Sequence, residues 1–161
     1  MRIFLLACFS LFVIACSSTP KEAITSVEIT DISPRFIPEE TFKRIHEYRT
    51  GADYQGNRVI LRTDPQVRDG FYFVLTFDTK LKKLPQGTSI KGEFFTPDAT
   101  EPVDYEFKLP AKRTGTKEIF LGLTGDAWTH GSDIKPSAWR FTVTGPDGQE
   151  FAKKKSYLWS F

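Results

Sequence analysis

Cysteine is scarce in this chain, with two in total, Cys8 and Cys16, and none after the second. A domain built from the rest of the sequence forms no internal disulfide, so a fold of this size outside the cytoplasm relies on its apolar core. Histidine is equally scarce, at His46 and His130, and no paired Cys or His stands at ligand spacing. No Gly-x-Ser-x-Gly elbow and no phosphate-cradling glycine loop is present either. These absences lead to the expectation of a non-enzyme with no cofactor, no catalytic residue and no structural metal. Neither sign of charge dominates: 22 Lys and Arg stand against 20 Asp and Glu. Nucleic-acid binding would show a basic excess or stripe, and the one basic run, Lys153-Lys154-Lys155, reads instead as the solvated end of a strand. There is also no internal repeat, no low-complexity segment and no convincing long helix.

One long apolar run exists, from Ile3 to Ala15, following the positive start Met1-Arg2. Thirteen residues fall short of the roughly 20 that a membrane-spanning helix needs, and the run reads as a secretory signal. Its end, Val13-Ile14-Ala15-Cys16, resembles the lipobox of bacterial lipoproteins. The resemblance implies cleavage before Cys16, a diacylglycerol on the Cys16 sulfur, and an acyl chain such as palmitate on the new amino terminus. Residues 1–15 are then the signal peptide, 16–23 a lipidated tether, and 24–161 the domain; Cys8 leaves with the signal. Each buried methylene contributes about 0.8 kcal/mol, so two or three chains anchor a protein almost permanently. Ser17 stands where the inner-membrane retention signal of many such lipoproteins places Asp, which implies the outer membrane of the cell envelope. Ser17 to Ala23 has nothing to bury and suits a flexible link.

Aromatic residues are plentiful, with 15 Phe, 5 Tyr and 3 Trp, and they fall in short alternating stretches broken by Gly and Pro. Residues 24–32 alternate around Val27 and Ile29 and predict a strand ended by Ser33-Pro34. Between 41 and 50, Phe42 and Ile45 fit a helix face, while Phe42, Arg44, His46 and Tyr48 fit a strand; a loop from Gly51 to Asn57 favours the strand, running as a hairpin into 58–63. Asp53 and Tyr54 belong to that loop and are explained by turn chemistry. Phe71 to Phe77 is the most apolar stretch and predicts a central strand covered on both sides. Further strands are expected at 89–96, at 103–109 with Val103, Tyr105, Phe107 and Leu109 on one face, and at 117–123. Last comes a hairpin of 138–144 and 149–159 about Gly145-Pro-Asp-Gly148. This spacing predicts a single antiparallel β-sandwich, immunoglobulin-like or transthyretin-like. Tyr157, Trp159 and Phe161 alternate as in the last strand of an outer-membrane barrel, but too few strands reach the 9–11 residues that a barrel requires, so they are expected to form a terminal core strand.

One segment carries suggestive chemistry, Gly125 to Trp139. Asp126, His130 and Asp133 could gather about a cation and Trp128 could stack on a sugar or peptide, although one histidine among loop acids is more often a turn residue. Trp139 alternates with Phe141 and Val143 and reads as core. The function expected is that of a lipid-anchored adaptor or assembly factor whose sandwich binds another envelope protein through loops or an exposed sheet edge. The alternative is a carbohydrate or small-ligand module using the Trp128 loop. An exposed Trp128 beside a pocket would favour the latter.

Overall fold

The structure is a computed structural model that describes residues 24–51 and 55–159. The signal peptide, Cys16, the tether, Asp53, Tyr54 and Phe161 lie outside the described residues. Two four-stranded sheets pack face to face as a β-sandwich. The first sheet has the order β1 (Ile29–Ile37), β3 (Gly70–Phe77), β6 (Glu118–Thr124), β2 (Val59–Arg62). The second has the order β5 (Val103–Lys108), β4 (Ser89–Phe95), β7 (Ala138–Thr144), β8 (Glu150–Lys155). All pairs are antiparallel except β2 with β6, which run parallel. The expected sandwich is therefore present, with one parallel pair in place of a fully antiparallel ladder.

Strand alternation sends Phe71, Phe73, Leu75 and Phe77 inward between the sheets, where they meet Ile90, Phe94, Phe141 and Val143. Phe73 lies at the centre, its ring 5.0 Å from Phe94 and 5.2 Å from Phe141. Gly92 leaves room for this stack, since a Cβ there would come within 2.5 Å of the Phe94 ring. Trp139 is only partly buried and packs at the rim, 5.6 Å from Phe141.

β3 is indeed covered on both sides. Its outward residues, Tyr72 and Val74, join Ile37, Ile60 and Phe120 in a second cluster closed by Phe42. Phe42 belongs to a one-turn helix, α1 (Glu39–Phe42), followed by α2 (Ile45–Thr50). The strand expected over 41–50 is thus two helical turns. Pro38 precedes the first, two acids occupy its start where the helix dipole favours them, and Glu39 N–H donates to the Asp69 carboxylate. Gly51, at φ 69°, ends the second in the left-handed conformation. The apolar outer patch of the sheet is covered by one aromatic, Phe42, delivered by the single turn of α1.

Two further expectations are corrected. Ser33-Pro34 does not end β1, which continues to Ile37; β1 is an edge strand, where a proline without an N–H is tolerated. The final strand stops at Lys155 rather than 159. Ser156 closes the ladder on Trp139, donating its N–H to the Trp139 carbonyl (2.9 Å) and accepting the Trp139 N–H at its hydroxyl (3.0 Å). The chain then turns, leaving Tyr157 exposed and folding Trp159 back 5.2 Å from the Phe95 ring.

The two long sides of the sandwich differ. Beside β1 and β8 the sheets are laced together: Val27 N–H donates to the Phe151 carbonyl (3.1 Å), and Lys154 Nζ donates to the carbonyls of Ile29 (2.6 Å) and Thr30 (2.9 Å). Lys154 is thus engaged, while Lys153 and Lys155 face solvent. On the side of β2 and β5, Thr114 Oγ, beyond β5, donates to the Asn57 carbonyl ahead of β2 (2.8 Å), while no hydrogen bond joins the two strands themselves among the described residues.

Candidate functional site

The segment singled out by sequence follows β6. A 3-10 turn, Gly125–Ala127, delivers Trp128 to the end of the core. Gly125 adopts φ 60° and sits so close to Asp64 that a Cβ would approach its carboxylate to 2.8 Å. Beneath it, Thr124 is wholly buried but satisfied: its hydroxyl donates to the Asp64 carbonyl and accepts the Asp64 N–H, both at 2.9 Å.

Trp128 is 5% exposed. One side of its ring meets Phe71, at 5.0 Å between centroids, and His130 packs against it edge-on, also at 5.0 Å. The indole is therefore a wedge in the end of the core, without an open stacking face, and its buried Nε1 has no hydrogen-bond acceptor among the described residues. His130 Nε2 lies 2.9 Å from Asp98 Oδ2, an acid from a different loop. Asp126 is exposed beside a shallow cavity of about 390 Å³, and exposed Asp133 accepts a hydrogen bond from Ser132 Oγ (3.1 Å). No group of three or more metal-ligating side chains is gathered among the described residues. His46 lies exposed on α2, away from any such set.

A different place has the geometry of a binding site, and sequence reasoning passed over it. β2 is a four-residue strand at the edge of its sheet, bonded on one side to β6. Thr63, just beyond it, donates its N–H to the Gly122 carbonyl of β6 (2.9 Å). Successive residues of a strand point their amides to opposite sides, so the N–H and C=O of Ile60 and Arg62 face away from β6, along the open edge. Two cavities flank this edge. One, of about 490 Å³, lies between Ile60, Leu61, Arg62 and the β5 residues Glu106, Phe107 and Lys108. The other, of about 320 Å³, is bounded by Arg58, Leu61, Pro110 and Lys112.

The charge around the edge is uneven. Arg58, Arg62, Lys108 and Lys112 line the two cavities, opposed there by Glu106 alone. Arg62 is fixed: its Nε donates to the Tyr72 hydroxyl (2.9 Å), which donates in turn to the Arg68 carbonyl (2.7 Å), and its guanidinium lies 5.2 Å from the Phe42 ring centre. Arg58 lies 5.6 Å from the centre of the Phe120 ring. Partial burial, and then the nearby cations Arg44 and Arg35, push the Arg58 pKa below its ordinary value. Arg35, Arg44 and Arg58 make no ion pair among the described residues. The sequence signal was Arg58-Val-Ile-Leu-Arg62, a short apolar strand with an arginine at each end.

No protein-family model and no curated protein matches the sequence. Among solved structures, an immunoglobulin-like protein from Pseudomonas aeruginosa is similar to 83% of this chain over 96% of its own length, at 15% identity and a TM-score of 0.32. No described helix is long and apolar enough to cross a membrane.

Proposed function

We propose that this chain is a lipoprotein of the bacterial envelope, anchored at the outer membrane through Cys16, whose β-sandwich acts without catalysis as an adaptor or assembly factor for another envelope protein. The observation that carries the reading is the β2 edge, with two cavities beside it and no strand on its outer side, whereas hydrogen bonds from Val27 and Lys154 join the sheets on the opposite side. Unpaired strand edges are a liability that proteins ordinarily cover, so one left open beside apolar residues suits a partner strand. The alternative, a carbohydrate or small-ligand module at the Trp128 loop, loses its main support because the Trp128 ring is buried between Phe71 and His130.

The test uses intact cells. A photo-crosslinking residue at Gln55 or Lys112, beside the edge, should capture one discrete partner, whereas the same residue at Lys153 on β8 should not. Equal capture from both sides, or none from the β2 side, overturns the adaptor reading. Treatment with globomycin, which blocks lipoprotein signal cleavage, should make the unprocessed chain accumulate; unchanged processing overturns the anchor at Cys16.

A further inference from the structure

We infer that the strand entering the β2 edge is acidic on one face and apolar on the other: an extended segment of the partner whose Asp or Glu residues lie beside Arg58 and Arg62, and whose intervening residues fill the gap toward Leu61 and Phe107. This deepens the adaptor reading and rests on it. The two faces follow from the pleat. Side chains of an added strand continue the alternation of its neighbour, so residues level with Ile60 lie on the outer face of the sheet and those level with Leu61 lie between the sheets. Leu61 packs against the main core and Phe107 is buried in it, making the inner side of the opening apolar. The outer side is basic: Arg58 and Arg62 share the face of Ile60, and Arg35, opposite Tyr72 on β1, occupies that same face.

Charge complementarity decides the sign. Arg58 is partly desolvated over Phe120 and has Arg44 and Arg35 near enough to repel it, with Glu118 as the one carboxylate acting on it appreciably. Arg58 and Arg62, neither with an ion pair among the described residues, stand beside the outward N–H and C=O groups of Ile60 and Arg62, and a strand that brings carboxylates with its backbone meets both needs. A lysine-bearing strand would add to the repulsion. A neutral one would leave it in place.

The full-length processed protein, purified in detergent, can be titrated with three fluorescein-labelled peptides of eight residues: alternating Val and Glu, alternating Val and Lys, and the Val-Glu peptide N-methylated at every second amide. Anisotropy gives affinity, and amide exchange by NMR locates the contact. The Val-Glu peptide should protect the Ile60 and Arg62 amides and bind at least about fivefold more tightly than the Val-Lys peptide, the gap narrowing as salt rises. Arg58→Glu, or Lys112→Glu on an exposed loop should the first variant fold poorly, should weaken the Val-Glu peptide and strengthen the Val-Lys peptide. Equal binding of both peptides, with β2 still protected, overturns the acidic assignment and leaves the open-edge reading standing. Protection that survives N-methylation, or binding that leaves β2 unprotected, overturns strand addition itself.

Discussion

Arg140 of β7 meets Glu93 of β4 in a two-pronged pair, Nε to Oε2 at 2.5 Å and Nη2 to Oε1 at 2.6 Å, and the guanidinium also lies over the Trp159 ring at 4.8 Å. The arginine's hydrogen bonds hold the Glu93 carboxyl below its ordinary pKa. A carboxyl whose pKa is lower folded than unfolded favours the folded state at neutral pH; that contribution fades as pH falls below about 4.3, toward the folded value. Glu93→Gln should thus lower the urea midpoint more at pH 7 than at pH 3, and a midpoint difference that is the same at both pH values would refute the assignment. Side-chain contacts of this kind were the least legible part of the sequence. Trp128 stood out as a candidate, yet the ring that covers it, Phe71, lies in a strand nearly sixty positions away, and no local pattern announces the meeting. The arginines about β2 were overlooked for the same reason: Arg58 meets Phe120 and Arg62 meets Tyr72 and Phe42 only once the sheet and α1 are in place.

Strands were legible where alternation and punctuation agreed. Phe71 to Phe77 reads as doubly covered, and it is, because Phe42 and the outer cluster supply a second apolar layer. Where the two signals disagreed, the reading failed in a specific way. Proline at 34 reads as a stop, although on an outermost strand its missing donor costs the ladder nothing; the alternation of 41–50 suggests extended chain, although Phe42 alone among those residues is buried. At the C-terminal end, Tyr157 and Trp159 alternate, but Ser156 has already closed the ladder. The helical lid yields a prediction. Phe42, 4% exposed and 4.8 Å from the Tyr72 ring, should cost about 3 kcal/mol when changed to Ala, measured by urea unfolding. Ile45→Ala, on the exposed side of α2, should stay within about 0.5 kcal/mol. Equal effects of the two would mean that α1 does not seal the outer cluster.

At the scale of the whole molecule, the sandwich class followed from composition and spacing, whereas the joining of the sheets did not. The parallel partnership of β2 with β6 links residues some sixty positions apart, and β1 pairs with β3 rather than with β2, the next strand in the chain. Few of these pairings are local, so refolding should take milliseconds to seconds, slower than a helical bundle of the same size. With no cysteine beyond Cys16, the thermal midpoint should be the same with and without dithiothreitol; a shift would indicate a thiol-dependent contact between molecules. Val27 binds the Phe151 carbonyl of β8, and Lys154 of β8 binds the carbonyls of Ile29 and Thr30 at the start of β1. Because those three hydrogen bonds cross between the sheets at one corner, opening the sandwich there breaks them together, so the start of β1 and the middle of β8 should lose amide-exchange protection as one unit.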